Sequence, residues 1–111
     1  MIEINAVLEE DGTLVSCKAS GHAKAGKPGE DIVCAAVSVL MRTACKILSG
    51  RKGIVLRYDA PEKGQLWLEA EYKADGKDFL QTAGVFLIEG LRSVAQEYPL
   101  NCKLNIIVRR N

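Results

Sequence analysis

One segment decides the fold: residues 31–48, with the sequence DIVCAAVSVLMRTACKIL. Its apolar residues recur at intervals of three and four positions, which is the period of an α-helix that buries one face. Asp31 stands before the apolar run as a candidate N-cap, and Gly50 follows it as a stop signal. We therefore predict a helix over residues 31–48.

The segments around this helix alternate between apolar and polar residues, as strands with one buried face do. Residues 2–8 and 13–20 flank the turn signal Asp11-Gly12 and are predicted to form a hairpin. The remaining predicted elements are two strands, a second helix and a last strand, over residues 53–58, 65–72, 78–97 and 103–109.

The resulting order ββαββαβ favours an α+β fold over a doubly wound parallel sheet. We expect a mostly antiparallel or mixed five-stranded sheet that packs with two helices. A chain of 111 residues is long enough for one hydrophobic core and too short for two. We therefore predict a single domain over residues 1–111.

The composition argues against several classes of protein. The four cysteines form no C-x-x-C motif and the chain has one histidine, so we expect no metal and no cofactor. A net charge of +1 and six aromatic residues argue against direct nucleic-acid binding through a basic face or a stacking platform. No signal-peptide pattern or long apolar stretch is present, so we expect no membrane partner and a cytoplasmic location, where the cysteines stay reduced.

The residues that could carry chemistry are Cys34, near the start of the predicted helix, and His22, the only histidine. Free amides at a helix start favour a thiolate, and a nearby imidazole can accept the thiol proton. The same amides, including that of Cys34, could stabilise an oxyanion. On spacing alone, a buried structural cysteine and a solvated histidine remain an open alternative.

The surrounding sequence adds a resemblance. Residues 21–23 are Gly-His-Ala, and residues 29–38 are Gly-Glu-Asp-Ile-Val-Cys-Ala-Ala-Val-Ser. This pattern resembles the bacterial ribosomal-processing cysteine protease family, called Prp, whose signature is G-H-A followed by G-x-D-I-V-C-A-A-V-S. The resemblance implies a cysteine endopeptidase in which His22 is the general base and Cys34 forms a thioester.

The same resemblance implies the substrate, a ribosomal protein precursor. The enzyme would remove the N-terminal extension of large-subunit ribosomal protein twenty-seven. The alternative is a non-catalytic module that binds a ribosomal protein or rRNA through a strand edge or its C-terminal arginines.

Further residues have candidate supporting roles. Gly21 could turn the backbone and aim His22, which would need a positive φ angle. Asp31 either caps the helix or orients His22, and Ser38, one turn beyond Cys34, either supports the site or simply packs on the helix. The segment between His22 and Cys34 is a predicted substrate loop that could act as a lid, with candidate residues Lys24, Gly26, Lys27 and Gly29.

The predicted first helix also bears on assembly. Residues 32–37 contain no charged side chain and are apolar on more than one stripe, so the helix needs cover from two directions. A second copy of the chain could supply the second cover, and we predict a homodimer. Burial beneath loops of the same chain is the alternative.

Overall fold

The computed structural model describes residues 1–21, 30–62 and 64–110 of the chain. Within them lie five strands, two α-helices and a short 3₁₀ turn, and the order ββαββαβ is confirmed. The elements are β1 Ile2–Glu9, β2 Leu14–Ser20, α1 Glu30–Leu48, β3 Ile54–Asp59, β4 Gln65–Tyr72, the 3₁₀ turn Ala74–Gly76, α2 Lys77–Glu97 and β5 Cys102–Arg109. Of these, only the 3₁₀ turn has no counterpart in the sequence prediction.

The five strands form one mixed sheet in the order β3-β4-β2-β1-β5. Three neighbouring pairs are antiparallel, and the pair of β1 and β5 is parallel. A parallel neighbour needs a crossover, and here α2 carries the chain from β4 across the sheet to β5. The predicted α+β class with a mixed sheet is therefore confirmed.

Both helices pack on the same face of the sheet. Side chains alternate along each strand, so every second residue contributes to one hydrophobic core. The largest fully buried residues come from strands and helices alike: Ile4, Leu14, Met41, Leu48, Leu68, Leu80, Leu87 and Leu91. The opposite face carries polar and charged residues such as Lys18 and Glu69. The fold thus has two layers, a sheet and a helix pair.

The two helices run antiparallel and approach each other closely. A side chain at Gly90 would place its Cβ 2.8 Å from Leu40 Cδ2, so the glycine allows α1 to lie against α2. Near the C-terminal end of α1, the guanidinium of Arg51 lies 3.5 Å from the ring centroid of Phe79. Neither helix of the described chain is long and apolar enough to cross a bilayer.

The β1–β2 turn is tied to the start of α2 through Asp11. One carboxylate oxygen accepts hydrogen bonds from the amide and the hydroxyl of Thr13, at 3.0 and 2.7 Å. The other oxygen lies 2.9 Å from Lys77 Nζ. Lys77 and then Thr13 hold the pKa of the Asp11 carboxyl well below its ordinary value.

We expect these contacts to make the free energy of unfolding depend on pH in the acidic range. A carboxyl whose pKa is lowered in the folded state stabilises the fold at pH values above 3.8, its ordinary pKa. This contribution is lost as the pH falls below that value and the carboxylate takes up a proton. Asp11→Asn should therefore be less stable than the wild type at pH 7 and nearly equal to it in strong acid. Urea midpoints at both pH values test this expectation, and an equal difference at both would contradict it.

Candidate active site

A groove of about 660 Å³ lies beside residues 34–42 of α1. Its other walls are the end of β2 and the turn that leads from β3 into β4. Four of its lining residues are apolar and belong to the edge of the core: Ile2, Ala19, Val37 and Leu66. Cys34 and Ser38 of α1 and Gly21 after β2 also line the groove. Three of the residues singled out in the sequence therefore meet here.

Cys34 differs from the other three cysteines in its exposure. Its side chain is partly exposed, whereas Cys17, Cys45 and Cys102 are buried in the core. Burial raises the pKa of Cys17 to about 12 and also raises the pKa values of Cys45 and Cys102. Buried thiols of this kind are inert, so Cys34 is the cysteine whose exposure suits a nucleophile.

Selective alkylation should reveal this difference. Brief treatment of the native protein with iodoacetamide should add one adduct, at Cys34. Treatment in denaturant should add four, since the chain has four cysteines and all four are thiols outside any disulfide. Intact mass gives the number of adducts and peptide mapping gives their position. Rapid native labelling of Cys17 or Cys102 would contradict the expected protection.

The start of α1 corrects two details of the sequence prediction. The helix begins at Glu30, so Asp31 lies inside its first turn and is not the N-cap. Cys34 is the fifth helical residue, and in an α-helix its amide donates to the carbonyl four positions back. The amide of Cys34 is thus used within the helix. The first amides of an α-helix have no partner within the helix, and here these include the amides of Asp31 and Ile32. Side chains of a helix lean toward its N-terminus, so the rule places the Cys34 thiol on their side.

Gly21 joins the end of β2 to the segment that contains His22. Its φ angle is +147°, and its amide donates to the Gly64 carbonyl at 3.0 Å. A Cβ at this position would clash with the carbonyl oxygen of Met1 and would lie 2.9 Å from Ile2 Cα. Both the backbone angle and the close approach therefore require glycine.

A further part of the predicted site lies outside the described residues. This applies to His22 and to the predicted substrate-loop residues Lys24, Gly26, Lys27 and Gly29. The pairing of His22 with Cys34, and the aiming of His22 by Gly21, stay predictions. Asp31 is exposed and is not among the residues that line the groove.

Sequence reasoning missed Arg42, a charged residue of the groove. Its Nε donates to Ser38 Oγ at 3.0 Å, so the hydroxyl of Ser38 has a partner within the groove. The signal was present, because Cys34, Ser38 and Arg42 follow one another at intervals of four, which places them on one helix face. The facing residues Glu62 and Gln65 had no such signal.

The sequence profile of the family described as cysteine protease Prp matches residues 1–103. The chain belongs to the Prp family of cysteine proteases. The resemblance seen in the sequence and the enzyme class that it implied are both confirmed, and the alternative of a non-catalytic module is set aside. A comparison with curated proteins finds no match. In the described part of the chain, no three His, Cys, Asp or Glu side chains cluster as a metal site would require.

Solved structures share the Prp fold. The ribosomal-processing protease Prp from S. aureus, in complex with a substrate peptide, has a TM-score of 0.80 at 21% identity, over 96% of this chain and 99% of that one. The same protease with a covalently linked product peptide has a TM-score of 0.78 at 22% identity, again over 96% of this chain and 99% of that one. A protein from Streptococcus mutans has a TM-score of 0.74 at 25% identity, over 98% of this chain and 96% of that one.

Proposed function

We propose that this chain is a ribosomal-processing endopeptidase, which removes the N-terminal extension of large-subunit ribosomal protein twenty-seven in the cytoplasm. One observation carries the proposal: in a chain of the Prp family, the one partly exposed cysteine lies on the wall of a groove. The S. aureus relative, described as a ribosomal-processing protease, supports it through its complexes with a substrate peptide and a linked product peptide.

The reaction needs only the groups of a cysteine protease dyad. His22 takes the proton of the Cys34 thiol, and the thiolate attacks the scissile carbonyl carbon to form a C–S bond. The imidazolium then protonates the leaving amine as the C–N bond breaks, which leaves a thioester on Cys34. Water, deprotonated by His22, attacks the thioester; a C–O bond forms, the C–S bond breaks and the proton returns to sulfur.

The negative charge of the tetrahedral intermediate needs hydrogen-bond donors. We assign this role to free amides of the first turn of α1, because they lie on the side toward which Cys34 leans. The positive end of the helix dipole favours both the thiolate and this oxyanion. No metal or organic cofactor is part of the proposed reaction.

The supporting residues have narrower proposed roles. Gly21 sets the direction in which the chain leaves β2 and thereby aims His22. Asp31, with its carboxylate in the first turn, interacts favourably with the helix dipole or orients His22. Ser38 holds Arg42 in the groove through their hydrogen bond. Lys24, Gly26, Lys27 and Gly29 belong to the proposed substrate loop.

Cleavage of a ribosomal protein precursor tests the proposal directly. The purified chain is incubated with ribosomal protein twenty-seven that carries its N-terminal extension, and the products are read by intact mass. We expect one cut that releases the extension. The matched control is the mature protein without the extension, which should stay intact. Absence of cleavage of the precursor, or general degradation of both proteins, would contradict the proposed specificity.

We also propose that the chain works as a homodimer. Both helices expose large apolar residues, among them Val39 of α1 at 63% and Phe86 of α2 at 70% relative exposure. Exposed apolar residues on a helix layer are typical of protein interaction surfaces. A second copy of the chain, packed on this layer, would supply the second cover that the apolar start of α1 needs.

Charge substitution on the helix layer should separate the dimer. Val39→Glu and Phe86→Glu should shift the molar mass in solution from two chains to one, because a buried unpaired carboxylate opposes association. Val55→Glu is the matched control, since Val55 is similarly exposed, at 58%, but lies on β3. Light scattering coupled to size exclusion measures the mass, and a monomeric wild type would contradict the proposal.

A further inference from the structure

The groove continues along α1 well beyond Cys34, the residue proposed to attack the peptide bond. Cys34, Ser38 and Arg42 all line it, and their spacing of four places them on one helix face. A rise of 1.5 Å per residue puts Arg42 about 12 Å from Cys34 along the axis. An extended peptide advances about 3.3 Å per residue, so Arg42 lies about four substrate residues from the bond that Cys34 would attack.

Arg42 places a positive charge on the wall of this groove. Its Nε donates to Ser38 Oγ at 3.0 Å. A guanidinium has five N–H donors, so this bond uses one of them and leaves the terminal NH₂ groups as donors for a ligand. Within residues 1–21, 30–62 and 64–110, the arginines Arg57 and Arg92 each form an ion pair with glutamate, and Arg42 forms none. Glu62 also lines the groove but belongs to the turn between β3 and β4.

We propose that Arg42 determines substrate specificity by binding a carboxylate side chain of the peptide, about four residues from the scissile bond. A planar guanidinium matches a carboxylate in a bidentate pair, and the bond to Ser38 pre-orients it. The preferred substrate therefore carries Asp or Glu at this position. This inference rests on the proposed function, because the distance is counted from Cys34 as the attacking residue.

A peptide scan tests the inference. Fluorogenic peptides built on the cleavage segment of the precursor carry one Glu, or its neutral isostere Gln, at each position up to five residues on either side of the cut. We expect one position at which Glu is preferred about fivefold in kcat/KM, through a lower KM, since partly exposed ion pairs contribute up to about this factor. High salt should reduce the preference.

Substitutions of Arg42 test whether this residue causes the preference for Glu in the peptide. Arg42→Gln should abolish it, Arg42→Lys should keep part of it, and Arg42→Glu should favour a Lys peptide at the same position. Arg92→Gln is the matched control, because Arg92 pairs with Glu89 on α2 and does not line the groove. It should keep the wild-type preference. Circular dichroism confirms that each variant is folded.

The outcomes separate this inference from the proposed function. Peptide binding by Cys34→Ala, measured by fluorescence polarisation, should show the same Glu preference without any cleavage. Cleavage without a Glu preference, or a preference that survives in Arg42→Gln, overturns the role of Arg42 and leaves the protease proposal intact. Cleavage by Cys34→Ala at the wild-type rate overturns the protease proposal instead.

Discussion

Replacing Cys34 by alanine is expected to abolish cleavage of the ribosomal protein precursor. Removing the nucleophile leaves only substrate binding and oxyanion stabilisation, so kcat should fall by about 10⁴-fold or more, as in other covalent proteases. The partly exposed thiol at the groove wall is the observation behind this expectation. Single-turnover assays with excess enzyme measure the loss without interference from product release.

His22→Ala should cause a loss of similar size, because the thiol then lacks its general base. Imidazole added to the solution should restore part of the activity of His22→Ala and none of that of Cys34→Ala. Such rescue separates a missing base from a misfolded protein. Unchanged cleavage in His22→Ala would contradict the dyad.

Cys45→Ala provides the matched control for the nucleophile. It makes the same substitution on the same helix, but Cys45 is buried and does not line the groove. Its activity should stay near the wild-type value, while the small cavity lowers stability by roughly 1 kcal/mol. Equal loss of activity in Cys45→Ala and Cys34→Ala would point to a disturbed α1 and away from a lost nucleophile.

Gly21→Ala is expected to disrupt both stability and activity. Alanine is strained at a φ angle of +147°, and its Cβ would clash with the backbone at Met1 and Ile2. Because backbone cannot yield as a flexible side chain does, β1 and β2 must shift apart near the groove. We expect the free energy of unfolding to fall by roughly 3 kcal/mol, measured by urea denaturation, with a larger relative loss in kcat/KM.

Gly12→Ala separates backbone strain from the clash. Gly12 also has a positive φ angle, +90°, but a Cβ there meets nothing within 4 Å. This variant should lose only roughly 1 kcal/mol and should cleave normally. If Gly12→Ala and Gly21→Ala lose equal stability, the close approach to Met1 and Ile2 is not the cause.

The helices and strands could be predicted from the local pattern of apolar and polar residues. The period of apolar residues predicted α1 and α2 to within one residue at each end, since α1 starts at Glu30 and α2 at Lys77. This difference of one residue has a consequence for the site. Because α1 starts at Glu30, Asp31 lies inside the helix and the amide of Cys34 donates within it. Helix ends depend on individual hydrogen bonds, which an apolar period does not specify.

The strand order did not follow from local pattern. Pairing of β2 with β4 and parallel pairing of β1 with β5 join segments that are far apart in the chain. Alternation shows which side chains of a strand are buried but not which strand lies beside it. The two crossovers and the shared helix layer select the order β3-β4-β2-β1-β5.

The sequence by itself determined the element types, the buried faces and the family, because period and motif are local properties of the chain. It also places Ser38 one helical turn beyond Cys34 on the same helix face, and the same spacing of four continues to Arg42, which sequence reasoning missed. Only the tertiary structure decided that Cys34 is partly exposed while Cys17, Cys45 and Cys102 are buried. It also decided that Glu62, from the turn between β3 and β4, lines the same groove as Arg42. Burial and facing walls arise from contacts between distant segments, and those contacts exist only once the sheet has formed.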